Sequence, residues 1–157
     1  MPEIRPVTKD NWRALVNLEV HEAQRGFVVS NLYSIAESQF GFDYEGHWDY
    51  HAFGIYEGDT PVGFLMYGFN FSHPSQQAYI QRLMVDEKFQ GKGYGRFGME
   101  KMLEIFRADE RVKEVSISYE PENDVARKLY ASLGFVETGR IIEGEAEAVL
   151  KLKAPNN

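Results

Sequence analysis

A glycine-rich stretch in the middle of the chain constrains, more than any other feature, what this protein can fold into and bind. It reads Gln90-Gly91-Lys92-Gly93-Tyr94-Gly95-Arg96, between an apolar segment at 79–85 typical of a strand and a segment at 97–106 typical of a helix. A glycine-rich turn that opens a helix exposes unpaired backbone N–H groups at the positive end of the helix dipole. Glycine also lets the backbone approach a ligand closely or take a positive φ. This stretch, the glycine loop below, is therefore predicted to bind a pyrophosphate.

Two other phosphate-binding patterns fit the glycine loop less well. A P-loop needs Gly-Lys followed by Ser or Thr, which is missing here. The dinucleotide fingerprint matches at 93–98, but its glycines should follow the strand directly, and residues 86–92 intervene. The pattern Gln-x-x-Gly-x-Gly after a strand ending in Val85-Asp86 fits throughout. A tight turn without a ligand is the alternative, which three glycines in five residues ahead of a helix disfavour.

Composition limits the class of protein. With 157 residues, 43% of them hydrophobic, the chain is expected to form a single domain over 1–157. There is no cysteine, which excludes a disulfide scaffold, a thiolate zinc site and a cysteine nucleophile, and no metal site is predicted. No apolar run approaches the ~20 residues of a membrane span, and the N-terminus lacks a signal-peptide core. We therefore expect a cytoplasmic protein with no membrane partner.

Charge is unevenly distributed along the chain. The net charge of −7 argues against nucleic acid as a partner. Residues 26–81 contain no Lys or Arg but six acidic residues, interleaved with aromatic ones. Carboxylates and aromatic faces both bind alkylammonium groups, and the field of such a segment attracts cations. Glu37, Asp43 and Trp48 are therefore the candidate substrate-binding residues. The alternative is a solvated acidic face over an aromatic core.

The order of predicted elements is β-α-α-β-β-β-α-β-α-β-β. The second helix is expected over 27–40, a loop over 41–50 and a short strand over 52–56. Helices alternate with strands in the second half, and hairpins dominate the middle. This order predicts an α/β (α+β) fold with a mixed sheet of about seven strands and helices on both faces.

A second motif follows the glycine loop. It reads Asn123-Asp124-Val125-Ala126-Arg127-Lys128-Leu129-Tyr130-Ala131-Ser132-Leu133-Gly134-Phe135. The two motifs, in this order, resemble the coenzyme A loop and the Asn-x-x-Ala-x-x-x-Tyr-x-x-x-Gly-Phe segment of the GCN5-related N-acetyltransferase (GNAT) superfamily. The resemblance covers nearly the whole chain. It implies a mostly antiparallel GNAT sheet and an acetyl-CoA-dependent N-acetyltransferase that binds its cofactor through Gln90, Gly91, Lys92, Gly93, Tyr94, Gly95 and Arg96.

The resemblance also assigns roles within the second motif. It implies that Asn123 contacts the cofactor and that Tyr130 lies near its sulfur. Acyl transfer from a thioester to an amine needs a deprotonated amine, donors for the developing oxyanion and a proton for the leaving thiolate. A phenol with a pKa around ~10 suits the last of these, so Tyr130 is the candidate general acid. The alternative is a core aromatic, because Tyr130 shares a helix face with Ala126, Leu129 and Leu133.

The strand before the loop is the second part of the predicted cofactor site. Backbone amides at Leu83, Met84 and Val85 could bind the thioester carbonyl and the pantetheine arm. In the family, this strand diverges from its neighbour at that point and leaves those groups free.

The general base is not identified by the sequence. Families of this kind often carry a glutamate on this strand, where Tyr79 and Gln81 stand in the present chain. A glutamine cannot usefully accept a proton. The remaining candidates are Glu19, Glu22, His47, His51 or a water chain.

Further segments resemble the bacterial spermine/spermidine acetyltransferase (BltD-like) branch: Tyr56-Glu57-Gly58-Asp59, Val62-Gly63-Phe64, Met66-Tyr67-Gly68 and Asp86-Glu87. The predicted function is acetyl transfer to a primary amine of a polyamine, by direct attack in a ternary complex. The alternatives are another small cationic amine, such as an aminoglycoside or an amino-acid derivative, and a non-catalytic CoA-binding sensor. A homodimer is left open.

Overall fold

The computed structural model describes residues 1–20 and 30–152. Eight strands are present in this part of the chain. They are β1 (Pro2–Pro6), β2 (Phe42–Asp43), β3 (His47–Glu57), β4 (Thr60–Phe69), β5 (Ala78–Val85), β6 (Glu114–Tyr119), β7 (Val136–Ile142) and β8 (Glu145–Lys151). The α-helices of these described residues are α1 (Trp12–Val16), α2 (Asn31–Ser38), α3 (Tyr94–Ala108) and α4 (Asp124–Ser132). A 3₁₀ turn, Glu87–Phe89, lies between β5 and the glycine loop.

The strands form one mixed sheet in the order β1-β3-β4-β5-β6-β8-β7, and β2 pairs with β3 outside this path. Among the described strands, only β5 and β6 pair in parallel. Hairpins need only short turns, whereas α3 is the crossover that returns the chain in parallel to β6. The predicted fold class, a mixed and mostly antiparallel sheet, is confirmed.

Helices cover both faces of the sheet. Successive strand residues point to opposite faces, so Leu65 packs with α3 and α4 while its neighbour Phe64 packs with α1 and α2. The α3 side holds the larger core, which includes the fully buried Met99 and Phe106. On the other side Leu15 of α1 is fully buried. The predicted helices on both faces are therefore confirmed.

The expected loop over 41–50 is wrong in its second half. β3 begins at His47 rather than at Ala52, and β2 pairs with its first residues. Glu45 and Gly46 take positive φ values of 52° and 111°, which reverses the chain in a tight turn. The Asn70 amide holds this turn by donating to the Glu45 carbonyl at 3.0 Å. Strand pairing with distant β4 decides this segment, so its local sequence does not reveal it.

The bounds of α2 and the close packing of α3 on the sheet both help to position the site. The second helix, expected over 27–40, is α2 from Asn31 to Ser38, and part of the expected range lies outside the described residues. α3 lies close to the sheet, since a Cβ at Gly98 would sit 3.0 Å from the side chains of Ile55 and Leu83. Among the described residues, no helix is both long and apolar enough to cross a membrane.

Candidate active site

A pocket of about 230 Å³ lies between the end of β5, the glycine loop and α4. Its wall contains most of the residues predicted to bind the cofactor: Leu83, Met84, Val85, Gln90, Gly91, Gly93, Tyr94, Gly95 and Asn123, together with Tyr130. Lys92 and Arg96 are not part of this wall. The Lys92 ammonium lies 5.8 Å from the centre of the Phe89 ring, and Arg96 donates to Ser132 Oγ at 2.8 Å.

The glycine loop has the backbone geometry that an anion site needs. Gly91 and Gly93 have positive φ values of 78° and 89°, and Gly93 is the N-cap of α3. No side chain caps this helix, so its first N–H groups point out of the helix without a side-chain acceptor. A Cβ on either glycine would meet no described atom within 4 Å. The residues present therefore fit a pyrophosphate against the start of α3.

The first residue of the second motif, Asn123, has a structural role. It is the N-cap of α4, where its Oδ1 accepts a hydrogen bond from Ala126 N at 3.2 Å. This cap satisfies one of the free N–H groups at the helix start. Because Asn123 also lines the pocket, its side-chain amide can donate to a ligand while the oxygen caps the helix.

Tyr130 is placed by α4 at the inner end of the pocket, with 8% of its surface exposed. Its ring packs against Tyr119 and Phe135, at centroid distances of 5.3 and 6.2 Å. Burial, followed by the nearby tyrosines Tyr119 and Tyr79, raises the pKa of Tyr130 above its ordinary value. The phenol therefore stays protonated at neutral pH, as a general acid requires.

The parallel pairing of β5 and β6 covers only Ala78–Ile80 on β5 and Val115–Ile117 on β6. Immediately after it, the register of β5 with β4 shifts between Met66 and Tyr67, so that Gln81 forms a bulge. Beyond the bulge, residues 82–85 keep their pairing with β4 and have no pairing with β6. We call this opening the fork. Its β5 edge carries the backbone groups of Leu83 and Val85 that the sequence predicts to contact the cofactor.

Glu37, one of the predicted substrate-binding residues, lies at the fork. Its Oε1 accepts a hydrogen bond from Gln81 Nε2 at 3.2 Å. Burial raises the pKa of the Glu37 carboxyl, and the bond from Gln81 opposes the shift. The Glu37 charge in turn adds to burial in raising the pKa of Tyr50 on β3. Helix α2 thus brings a partly buried carboxylate close to a phenol of β3.

The other five acidic residues between 26 and 81 lie beside basic groups. Asp43 and Asp49 flank His47 at 2.6 and 3.3 Å, Glu45 meets His73 at 2.9 Å, Asp59 meets Arg5 at 3.5 Å and Glu57 meets the amino group of Met1 at 3.0 Å. Asp43 is thus an exposed residue at the β2–β3 turn. The six acidic residues follow one another along the sequence without an intervening Lys or Arg, but in the fold five of them lie close to a basic group.

Trp48 is buried, with 7% of its surface exposed. Its indole N–H donates to the Tyr44 carbonyl at 3.0 Å, and its ring meets Tyr79 edge-on at 6.2 Å between centroids. In this structure, therefore, the Trp48 ring packs against the Tyr79 ring.

The residues that the sequence offers as candidate general bases do not cluster in one part of the described structure. The bond to Asp43, followed by its charge, raises the pKa of His47 and favours the imidazolium, which is not a base. The His51 ring stacks on Tyr67 of the α3-side core, at 5.4 Å. Glu19 N–H donates to Asp86 Oδ2 at 3.0 Å, near the end of β5. Glu22 lies outside the described residues.

The sequence reading missed two features of the fork. Arg82 is 6% exposed and donates to Asn31 Oδ1 at 3.0 Å, while its Nε has no partner in the part of the chain that the structure describes. Burial lowers the pKa of Arg82 to about 10, so the guanidinium is still charged at neutral pH. The second feature is a line of hydrogen bonds through Tyr79, Ser118 and Glu145. Arg82 could have been singled out from the sequence, because it is a charged residue in a strand of mostly apolar neighbours. No local sequence pattern indicates the hydrogen bonds among Tyr79, Ser118 and Glu145.

Comparisons with known proteins agree with this geometry. The chain is 29% identical over 155 residues to a spermine/spermidine N(1)-acetyltransferase of Bacillus subtilis (strain 168), an alignment that covers 95% of this chain and 97% of the relative. The predicted resemblance to that branch is thus confirmed as a similarity. Two solved structures share the fold. The spermidine N-acetyltransferase of Vibrio cholerae in complex with CoA and spermine has a TM-score of 0.71 at 17% identity, covering 96% of this chain and 95% of that one.

The second is the PaiA N-acetyltransferase of Thermoplasma acidophilum in complex with coenzyme A, with a TM-score of 0.69 at 16% identity, covering 96% of this chain and 99% of that one. The model of the acetyltransferase (GNAT) family matches residues 12–135, which include the glycine loop, the fork and all of α4. The enzyme class and acetyl-CoA, both predicted from the sequence, are confirmed by this match. The chain therefore belongs to the GNAT family of acetyltransferases, enzymes that use acetyl-CoA.

Proposed function

We propose that this enzyme transfers the acetyl group of acetyl-CoA to a primary amine of a polyamine such as spermidine or spermine, by direct attack in a ternary complex. The carrying observation is the position of Glu37. It is the one acidic residue of 26–81 without a basic partner among the described residues, and it lies at the fork beside Gln81 and Tyr50. A carboxylate next to aromatic rings suits an alkylammonium group.

The remaining assignments follow the shape of the site. Acetyl-CoA supplies the activated acetyl group when it binds in the pocket beside the glycine loop. The N–H groups at the start of α3 hold its pyrophosphate, and Asn123 adds a contact from α4. Backbone groups at Leu83, Met84 and Val85 orient the pantetheine arm and the carbonyl. Tyr130 donates its proton to the leaving thiolate.

A polyamine carries several positive charges, so it can contact the acceptor site at more than one point. One ammonium lies near Glu37 while the reacting nitrogen enters the fork. The exposed carboxylates of Asp43 and Asp49 add a long-range attraction that salt screens. The named activity of the Bacillus subtilis relative supports the same substrate class.

The experiment is thiol release from acetyl-CoA with a panel of amines. We expect spermidine and spermine to give a higher kcat/KM than a monoamine of similar length, an aminoglycoside or an amino-acid derivative. A higher value for an aminoglycoside or an amino acid would contradict the polyamine assignment and favour the second substrate class. Binding of acetyl-CoA without turnover of any amine would favour a CoA-binding sensor. The single domain over 1–157, the cytoplasmic location and the homodimer stay predictions.

A further inference from the structure

Three side chains form a continuous line of hydrogen bonds across three adjacent strands. The Tyr79 hydroxyl on β5 lies 2.6 Å from Ser118 Oγ on β6, and Ser118 Oγ donates to Glu145 Oε1 on β8 at 3.1 Å. Tyr79 and Ser118 are partly buried, and the Glu145 carboxylate is half-buried. The line therefore runs from β5 beside the fork to the first residue of β8, which follows the exposed β7–β8 turn.

The chemistry of the three groups determines the direction of both bonds. An ionised carboxylate only accepts, so Ser118 must use its single hydroxyl proton toward Glu145. Ser118 then has no proton for Tyr79, so Tyr79 is the donor in the first bond. The lone pairs of the Tyr79 oxygen are left to accept a hydrogen bond from a third group. Both hydrogen bonds thus run from donor to acceptor in the direction Tyr79 to Ser118 to Glu145, as a relay that accepts a proton at Tyr79 requires.

The inner end of this line lies where the acceptor amine must react. β5 and β6 separate immediately after Ile80 and Ile117, one residue beyond Tyr79 and one residue before Ser118. An ionised Tyr79 would raise the pKa of both Tyr130 and Tyr50, so Tyr79 is near enough to act on both phenols. Tyr79 is thus close to the predicted general acid and to the phenol beside the predicted ammonium site.

We propose that Tyr79, Ser118 and Glu145 form the proton relay that deprotonates the acceptor amine. The relay rests on amine acetylation as proposed above, although not on the amine being a polyamine. An N–H bond of the substrate ammonium breaks as its proton moves to the Tyr79 oxygen. The Tyr79 proton moves to Ser118 Oγ, and the Ser118 proton moves to Glu145 Oε1. An ammonium and a carboxylate become a neutral amine and a carboxylic acid, and total charge is conserved.

The relay ends on a group able to exchange its proton with solvent. Burial, followed by the charges of Glu120 and Glu143, raises the pKa of Glu145, and the bond from Ser118 opposes the shift. A base is most effective when its pKa approaches the working pH. Other charged or titratable groups around the relay are Glu147 on β8, Arg140 on β7, Tyr50 on β3, Tyr130 on α4 and Arg82 on β5.

A second carboxylate at the fork, Glu37, is the competing base. Its Oε1 is already bonded to Gln81, and no described hydroxyl leads from it to solvent. In the proposed function it holds a positive charge, which needs the carboxylate to stay ionised. The relay instead uses a carboxylate that is free to change its protonation state in each turnover.

The test compares pH profiles of the parent with those of Glu145→Gln, Ser118→Ala and Tyr79→Phe. The matched control is Glu143→Gln, which removes the same charge from the neighbouring turn and breaks no described hydrogen bond. The quantity measured is kcat/KM for the amine at saturating acetyl-CoA, from about pH 6 to about pH 10, by thiol release. The amine is the best one found for the parent. If that amine is not a polyamine, the substrate assignment fails and the relay is tested all the same.

We expect the parent profile to rise with pH and then to level off once Glu145 is ionised. Each relay variant should lose about 10²–10⁴-fold at neutral pH, a range typical of a general base. Its activity should keep rising toward the pKa of the free amine, ~10.4 for an alkylammonium, because only the neutral amine reacts. The double variant Tyr79→Phe/Glu145→Gln should be no slower than the slower single one, since members of one relay are not additive. Glu143→Gln should keep the plateau of the parent profile, with its rise shifted to slightly lower pH, because the Glu143 charge helps to raise the pKa of Glu145.

Parent-like profiles for Ser118→Ala and Glu145→Gln would overturn the relay. So would loss of the levelling-off in Glu37→Gln alone, which would identify Glu37 as the base. Calorimetric affinity for acetyl-CoA separates these effects from a folding defect, because none of the three relay residues lines the pocket. Should Glu145→Gln not fold, Ser118→Ala and Tyr79→Phe decide the question, as both delete only a hydroxyl.

Discussion

Glu37 on α2 and Gln81 on β5 are joined by a hydrogen bond, Oε1 to Nε2 at 3.2 Å, across 44 positions of the sequence. The bond places the carboxylate at the bulge where β5 leaves β6. Tyr79 and Gln81 are the two positions on β5 at which the family resemblance leads us to expect a glutamate. In the structure a carboxylate reaches this region from helix α2 instead, which distinguishes Glu37 from the exposed acidic residues around it.

Gly93→Asp should abolish measurable binding of acetyl-CoA by calorimetry. The change puts a negative charge against the pyrophosphate site and a side chain at a φ of 89°. The matched control is Gly58→Asp in the β3–β4 turn, at a φ of 59° and with similarly open space. It also puts a side chain at a positive φ, a strain of order 1 kcal/mol, without touching the glycine loop. If both variants bind acetyl-CoA like the parent, the glycine loop does not hold the pyrophosphate.

Tyr130→Phe should lower kcat by about 10²–10⁴-fold, with little change in the affinity for acetyl-CoA, because it removes only the hydroxyl. The control is Tyr119→Phe, the ring beside it, whose hydroxyl donates to Glu137 at 2.6 Å. That variant should lose about 1 kcal/mol of unfolding free energy and keep its kcat. Unchanged turnover in Tyr130→Phe would show that Tyr130 is only a packing residue.

The pH dependence of the parent provides a second check on Tyr130. Because burial raises the pKa of this phenol, its acid form persists at and above pH ~10, the ordinary value for tyrosine. The parent kcat should therefore show no fall below about pH 10 that depends on Tyr130. A descending limb centred near pH 8 that is absent in Tyr130→Phe would contradict the environment described here.

Glu37→Gln should raise KM for spermidine by several-fold, and the effect should weaken in high salt, because screening acts on the same charge. Asp43→Asn is the matched control, since its carboxylate already pairs with His47 on the exposed turn. It should change KM less, and KM for acetyl-CoA should stay the same in both variants. Equal effects of the two substitutions would mean that only the overall field, and not the position of Glu37, attracts the amine.

Asn123→Ala should lose both stability and cofactor affinity. Deleting an N-cap costs about 0.5–2 kcal/mol, measurable by denaturant unfolding. Asn123→Ser restores a capping oxygen but no amide N–H, so it should recover the stability and not the affinity for acetyl-CoA. Full recovery of both in the serine variant would limit Asn123 to its structural role.

Much of the predicted cofactor side of the site can be located from the sequence because its determinants are local. The glycines that give the loop its positive φ values and the residues of the following helix turn lie within a few positions of one another. Asn123 and Tyr130 are likewise set by one short helix, whose cap and periodicity are visible in a single segment. The alternation of strands and helices predicts the sheet for the same reason, and the family match confirms the fold and the enzyme class.

The acceptor side was predicted less well, and the reason is physical. The sequence shows six acidic residues in 26–81 as one field, yet five of them lie beside basic groups that the fold brings close, and only Glu37 reaches the fork. Counting charges along a segment says nothing of the distances between them. The turn at Glu45 and Gly46 was missed for a similar reason, since it depends on pairing between distant strands.

By itself, then, the sequence determined the fold class, the glycine turn ahead of α3 and the place of Tyr130 on α4, all of which depend on neighbouring residues and on hydrophobic periodicity. Only the tertiary structure decided which side chains meet at the fork. Tyr79 and Ser118 are 39 positions apart, and Ser118 and Glu145 are 27 apart. Hydrogen bonds act over about 3 Å, so such contacts exist only once the strand order β5-β6-β8 and its register have formed.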